Sequence, residues 1–355
     1  MLKIQHLSVA ALLLGSAPAV FAQTNVQLYG RINTSVEYQK EGKLSATGML
    51  SNGSFLGLRG QEDLGAGLKA GFVLEAGLNS DDGRGSNDEG GLDFNRRSEL
   101  NLQGRFGMLR MGTFDKYSYT VTDKAIAWHN DNEGVTQDIF SANNYRRTNS
   151  LAYRTPKVGG WDAEIAHHFG EKQVQYSYRN DNTWDLGVNY ANGPWGFGLG
   201  LNRGKTSELS YGDIYVEKTA TVRASYMGVN WAVGAYYQHY HERGNWVDIG
   251  NAHWKSDIVR VAGMYRWNAS ELHLNVGYRD FRSNAWEGEN WEPYTYRANA
   301  IQWTLAYHYK FSPRTKAYVF YSHNDDIAPF NSLDAFNYNE AGNFRSIGFG
   351  MRHEF

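Results

Sequence analysis

The chain has no cysteine and only 6 prolines in 355 residues. Without cysteine there is no disulfide framework and no thiolate metal site. Long hydrophobic runs are missing too. After residue 22 every apolar run stays under ten residues, even counting Gly and Pro. A membrane-spanning helix needs about 20 such residues, so none can form in that part of the chain. Neither sign of charge dominates, with 35 Lys and Arg against 37 Asp and Glu. That balance gives no basic footprint for nucleic acid and no acidic solvating tail. A membrane role is left open only to strands, with apolar residues spread at period two.

What the chain does have suits strands. Glycine is plentiful at 39 residues, and aromatics reach 15 %, with 24 Tyr and 11 Trp. This mix fits pleated strands and tight turns far better than helices. The first 22 residues stand apart: Lys3, an apolar stretch from Leu7, then small residues ending at Val20 and Ala22. That layout predicts a secretory signal peptide cleaved after Ala22, leaving residues 23–355 as the mature chain. The alternative, a membrane anchor, is opposed by Gly15, Ser16 and Pro18, which break a stretch already too short. Removing the peptide takes away one basic residue, Lys3, and no acidic one.

The apolar residues do alternate. Leu68, Ala70, Phe72, Leu74, Ala76 and Leu78 fall on one face, against Lys69, Gly71, Val73, Glu75, Gly77 and Asn79. Ile301, Trp303, Leu305, Tyr307 and Tyr309 oppose Gln302, Thr304, Ala306, His308 and Lys310. Leu272, Leu274, Val276 and Tyr278 oppose His273, Asn275, Gly277 and Arg279. Alternation over roughly ten residues, repeated along a chain, is the pattern of a transmembrane barrel strand. A soluble sandwich also alternates, but its outward face would be polar, not consistently aromatic and aliphatic.

The connections alternate in length as well. Short turns are expected at Asp63–Gly67, Gly104–Gly107, Pro156–Gly160, Asn192–Pro194, Met227–Val229, Asn268–Ser270 and Phe311–Arg314. Longer polar stretches lie around 39–53, 80–94, 115–148, 170–182, 205–213, 243–251, 284–293 and 325–342. Seven turns and eight loops imply sixteen antiparallel strands. The fold class is therefore all-β, a transmembrane barrel. In hydrocarbon every backbone N–H and C=O needs an internal partner, so the sheet must close, first strand on last. Val26–Tyr38 should then pair with Phe344–Phe355, with Phe355 in an aromatic girdle at the periplasmic edge.

Several blocks resemble the general trimeric porins of Gram-negative bacteria, especially the beta-proteobacterial type. They are LYGRINTSVEY (28–38), GLRGQEDLGAGLKAGFVLEAGLN (57–79), FNRRSELNLQGRFG (94–107), NSLAYRTPKVGGW (149–161), SPRTKAYVFYSHN (312–324) and GFGMRHEF (348–355). The LRGxEDLGxGLKA block and the R-H-x-F ending are the specific ones. The resemblance implies a water-filled homotrimeric barrel in the outer membrane, its third long loop folded into the lumen. It also implies contact with lipid and lipopolysaccharide, and recognition of Phe355 by the barrel-insertion machinery. The function it implies is passive diffusion of small hydrophilic solutes and ions, without cofactor or metal.

In such a pore the narrowest point decides function. The longest loop, 115–148, carries Asp123, Asp131, Glu133 and Asp138, the candidate acids of a constriction. The alternation assigns Arg31, Phe55, Arg59, Lys69, Arg97 and Arg110 to the inner wall of the first strands. Opposed basic and acidic surfaces bias ion selectivity, and the continuous arginines tilt the expectation weakly toward anions. Members of the resembled family often carry an arginine where this chain has Phe55, which weakens strong anion selectivity. It also opens the alternative of a solute-specific channel for sugars or organic acids, guided by aromatic surfaces.

Other motifs carry little chemistry. GFGLG (196–200) sits inside an alternating strand with no helix behind it, so it is no nucleotide loop. His239 and His241 share a strand face and could hold a metal, but lack carboxylate support there and read as interfacial. The acidic stretch 79–91 lacks the spacing of a calcium loop and reads as a surface loop near a neighbouring subunit. No local signature selects a Ser–His pair for an enzyme.

Overall fold

The computed structural model describes residues 25–87, 90–126, 140–142, 146–170, 179–208, 213–246, 250–287, 292–325 and 343–355. The expected signal peptide therefore lies outside the described residues. Seventeen strand segments run through the described residues: β1 Asn25–Glu41, β2 Leu44–Ser51, β3 Ser54–Gly65, β4 Leu68–Leu78, β5 Arg97–Gly104, β6 Gly107–Asp115, β7 Arg146–Arg154, β8 Trp161–His168 and β9 Arg179–Asn192. They continue as β10 Trp195–Glu208, β11 Asp213–Met227, β12 Trp231–Trp246, β13 Gly250–Trp267, β14 Ser270–Glu287, β15 Glu292–Lys310, β16 Thr315–Asn324 and β17 Phe344–Glu354. Between β6 and β7 lies a helical turn, α1 Tyr117–Val121.

Each strand pairs antiparallel with its neighbours, and β1 pairs with β17 to close the ring. The β2 and β3 segments both lie along β1, interrupted at Asn52–Gly53, and together form one wall strand. The wall is thus the sixteen-stranded antiparallel barrel that the turn count implies. Closure is made by a reciprocal pair: the Gly30 N–H donates to the Phe355 carbonyl and the Phe355 N–H to the Gly30 carbonyl, both at 3.1 Å.

The seven short turns fall where expected, because the residues there tolerate the backbone they need. In the first, Gly65, Ala66 and Gly67 all have positive φ, and Asn268 turns the sixth at φ 51°. Glycine and asparagine adopt that region at little cost, whereas Ala66 is held there between its two flanking glycines.

Four of the eight long loops are shorter than expected. Residues 39–53 form a hairpin closing at Gly42–Lys43, with Glu41 opposite Leu44. The stretches 205–213, 243–251 and 284–293 are likewise mostly strand, extending to Glu208, Trp246 and Glu287 on one side and from Asp213, Gly250 and Glu292 on the other. Apolar alternation marks only the span in contact with lipid. Ladder hydrogen bonds continue wherever two extended segments run side by side, whatever their polarity. The stretches 326–342 and 171–178 lie outside the described residues.

On the outer face, aliphatic residues form a belt: Val222, Val233, Val259, Val261, Leu274, Val276, Leu305 and Val319 are all exposed. Toward the short turns the belt ends in touching aromatics. Trp195 meets Tyr226 at 4.8 Å, Tyr226 meets Trp231 at 5.0 Å, and Tyr265 meets Trp267 at 5.9 Å. This is the girdle that amphipathic rings build at a membrane interface.

Candidate functional site: the barrel interior

The interior is built by the alternate face of the same strands. On β1, Asn33, Ser35, Glu37 and Gln39 are buried while Ile32 and Tyr38 face out. The third long loop enters this interior directly after β6. Its first residues pass over β9, β10 and β12 at glycines. A Cβ on Gly187 would sit 2.8 Å from the Tyr117 carbonyl carbon, one on Gly200 3.0 Å from the Ser118 Cβ. A Cβ on Gly198 would collide with the Val121 carbonyl oxygen, and one on Gly234 with the Ile126 side chain. GFGLG is therefore the seat of the inward loop.

Polar contacts hold the loop on that seat. The Ser118 N–H donates to Asp185 Oδ1 at 3.1 Å, and the Ala142 N–H to Gln238 Oε1 at 2.7 Å. Ile126 and Phe140, from the two described parts of the loop, pack on Tyr236, Ile258, Ala262 and Ala300 inside the barrel. Asp123 is fully buried. It accepts from Thr122 at 2.9 Å and from Gln238 at 3.3 Å, so it anchors the loop rather than facing water as a constriction acid. Asp131, Glu133 and Asp138 lie outside the described residues.

The arginines of the first strands come together, but mostly as ion pairs. Arg31 binds Glu354 at 3.1 Å and Arg97 binds Glu99 at 2.8 Å. Arg110 is buried between Glu99, at 3.3 Å, and Glu164, which also accepts from Arg154 at 2.9 Å. Arg110 lies 3.8 Å over the Phe114 ring, and Arg154 lies 3.9 Å over Tyr117. Arg59 differs. It donates to the neutral Gln27 at 2.7 and 2.9 Å and lies 4.8 Å over Tyr29. Lys69 has no ion pair among the described residues. The expected run of free cations is thus largely compensated, because strands that carry Arg at one register carry Glu at the next.

Phe55 shares this face. Its ring meets Tyr29 edge-on at 5.9 Å and lies under two guanidinium groups, Arg96 at 4.5 Å and Arg31 at 5.8 Å. Arg96, which precedes β5, brings a cation to the place where the chain lacks an arginine at position 55. Nothing in the alternation of β5 points to it, since it sits in the turn before the strand.

Arginines line the far wall as well, beyond the strands assigned from the alternation. Arg223, Arg260 and Arg279 share the inward parity of β11, β13 and β14. Arg260 donates to Asn275 at 2.8 Å and Gln302 at 2.6 Å, and Arg223 to Asn189 at 3.3 Å. Carrying the same alternation past the fifth strand would have found them.

The remaining candidates resolve simply. Ser150 and His168 hydrogen-bond, but both are buried inside the barrel beside Phe114, away from lipid. His239 pairs with Asp257 at 2.8 Å, while His241 stacks on His253 at 6.1 Å. The described group whose ligand atoms converge is Glu271, His273 and His308. Glu271 is already engaged by Lys310 at 2.6 Å and Arg266 at 2.7 Å, cations that oppose a metal ion there.

Known proteins share this architecture. The chain is 36% identical over 216 residues to outer membrane porin protein 32 of Delftia acidovorans, covering 56% of this chain and 60% of that protein. It is 31% identical over 226 residues to an outer membrane porin protein of Bordetella pertussis, covering 55% and 58%. It thus spans less than two thirds of either relative's own length. Among solved structures, the anion-selective porin from Comamonas acidovorans superposes with a TM-score of 0.70 at 25% identity, over 94% of this chain and 100% of that one. OmpT of Vibrio cholerae in its trimer form shares the fold, at 14% identity and a TM-score of 0.67 over 94% and 99%. The family description "Gram-negative porin" matches residues 8–327. With a closed sixteen-stranded wall, an aromatic girdle and a loop seated inside, the chain belongs to the Gram-negative porin family, the barrels of the outer membrane.

Proposed function

We propose that the barrel lets small hydrophilic solutes and ions diffuse passively across the outer membrane, with a weak preference for anions. The observation that carries the sign is the partnering of the inner-wall cations. Arg59 rests on Gln27 and Arg223 on Asn189, and neither has a carboxylate partner among the described residues. Paired arginines contribute no net charge, whereas these two and Lys69 do. Rings of fixed charge bias selectivity without setting it absolutely. The Comamonas relative is described as anion-selective, which agrees in sign.

Arg31, Phe55, Arg59, Lys69, Arg97 and Arg110 are proposed as pore-lining. Asp131, Glu133 and Asp138 are kept as constriction-loop candidates. Residues 1–22 are proposed as the signal peptide. We also assign a homotrimer: on β1, β3, β4 and β5 the outward Leu28, Leu58, Leu74 and Leu100 form an aliphatic arc that suits another subunit. Lipopolysaccharide around the trimer and the insertion machinery at Phe355 complete the partners.

Swelling of liposomes carrying the purified protein tests the diffusion reading. Uptake of neutral sugars should fall smoothly with their size. A barrel that admits none of them would contradict it. The Tyr29–Phe55 pair beneath Arg31 and Arg96 favours one second reading, a channel that binds aromatic or organic acids. Such a solute would interrupt single-channel current at micromolar to millimolar concentration, about 4–8 kcal/mol of binding.

A further inference from the structure

The outer wall carries a feature that conduction does not use. Along β10, the outward residues Trp195, Phe197, Leu199 and Leu201 are followed by Arg203. In the cross-strand register Arg203 lies opposite Lys218 on β11, Lys218 opposite His241 on β12, and His241 opposite Lys255 on β13. Four adjacent strands thus present a basic side chain at the same register. Residues directly opposite on one face are neighbours, and like charges there repel.

On the next strand, Arg282 is answered by Asp280 at 2.6 Å and Asp257 at 3.7 Å. The row itself is not. Among the described residues Arg203, Lys218, His241 and Lys255 have no carboxylate partner, and the buried His241 Nε2 has no hydrogen-bond partner.

A groove of about 520 Å³ opens on this surface. Ile165, Leu186 and Leu201 line its apolar part, Trp184 stands among them, and Arg203 and Lys218 lie at its basic part. Its level in the bilayer follows from strand geometry. Trp195 of the girdle and Arg203 are eight residues apart, about 27 Å along the strand, hence about 20 Å along the membrane normal at a tilt near 40°. That places Arg203 at the far edge of the hydrocarbon, on the side of the long loops.

We infer that this groove binds the phosphorylated glycolipid of the outer leaflet: an acyl chain against Leu186 and Leu201, and sugar phosphates against the Arg203–Lys218–His241–Lys255 row. This inference rests on the outer-membrane porin reading and locates the lipopolysaccharide contact on one arc of the wall. The charge supports it, because a phosphate set between facing cations removes their repulsion and forms charge-assisted hydrogen bonds. The arc of β10–β13 also lies away from the aliphatic arc of β1–β5 assigned to the subunit contact, so both can be occupied together.

The test is titration of the refolded protein in detergent with lipid A carrying both phosphates, and separately with the dephosphorylated form, counting bound lipid by native mass spectrometry. The phosphorylated form should bind selectively. Arg203→Gln with Lys218→Gln should weaken it about thirtyfold, the loss expected for two surface cations. Exchanging the two as Arg203→Lys with Lys218→Arg should restore binding. Equal binding of both lipids, or of wild type and the double Gln variant, would overturn the site. Channel activity of the same wild-type preparation, recorded first, separates the two readings. A conducting protein that does not discriminate the lipids sinks the glycolipid site alone, and a non-conducting one sinks the porin reading.

Discussion

The Arg96 guanidinium lies 4.5 Å from the centre of the Phe55 ring and 3.0 Å from the Glu75 carboxylate. Glu75 also accepts from the Tyr29 hydroxyl at 2.7 Å, so one carboxylate ties the aromatic pair to the cation above it. Phe55 is therefore not a gap in the basic wall but the platform on which Arg96 is presented.

The first prediction follows. Arg96→Gln uncovers the Glu75 charge and should lower anion preference, while Phe55→Arg adds a guanidinium beside Arg31 and should raise it. At about 10 Å a single charge acts with under ~0.5 kcal/mol in water. Both shifts should therefore be small, and largest in dilute salt, where screening is weak. Reversal potentials measured at low and high salt check this. If Arg96→Gln left the dilute-salt value unmoved, the Phe55 platform would lie away from the constriction.

The second concerns the loop seat. Gly198→Val drives a side chain into the Val121 carbonyl and should lift segment 116–126 off β10. Overpacking of this kind costs roughly 1–3 kcal/mol. Because the barrel wall is held by its ladder, the loss should show as higher or noisier single-channel conductance rather than as unfolding. Conductance identical to wild type would mean the loop is held elsewhere.

The third concerns Arg110, clamped between Glu99 and Glu164. Arg110→Ala leaves two buried carboxylates facing each other across the lost cation. Glu99 keeps Arg97 and Glu164 keeps Arg154, so the loss should stay below the about 3–5 kcal/mol of a buried charge left without any partner. Urea unfolding followed by heat-modifiable gel mobility should show that loss, and Arg110→Ala with Glu164→Gln should recover part of it. An unchanged midpoint would show that Arg154 already neutralises Glu164.

These sites show what a single sequence discloses. The wall is legible because lipid demands apolar residues at every second position, and the turns are legible because Asn268 and the Gly65–Gly67 stretch mark positive φ. Loop lengths such as 39–53 are not, since polar residues pair in hairpins as well as apolar ones. Arg31, Arg59 and Arg97 could be placed inside by parity. The Glu354 partner of Arg31 and the neutral partner of Arg59 depend on register between strands, which one chain read alone does not reveal, whereas Arg97 and Glu99 pair within β5 at i, i+2. Arg96 and the buried Asp123 lie in turns and loops, where no periodicity exists to assign a face.

The fourth prediction concerns closure. The Phe355 ring lies against Gly30, where a Cβ would sit 2.6 Å from it, and the backbone pair between the two residues seals the seam. Deleting Phe355, or Gly30→Val, should reduce the yield of folded barrel severalfold, read by heat-modifiable mobility after refolding and by membrane fractionation in cells. Shortening 326–342 should cost far less. Equal yields for the Phe355 deletion and the intact chain would remove the terminal residue from the account of assembly.

The most direct measurement is the zero-current potential of the purified protein in a planar bilayer under a salt gradient, with wild type beside Arg59→Gln and Arg223→Gln. The account predicts open, ohmic channels whose potential has the anion sign but falls well short of the ideal value. Each substitution should move it toward zero, and the double substitution further still. A non-conducting protein, or a potential of cation sign that the two substitutions leave unchanged, would contradict it.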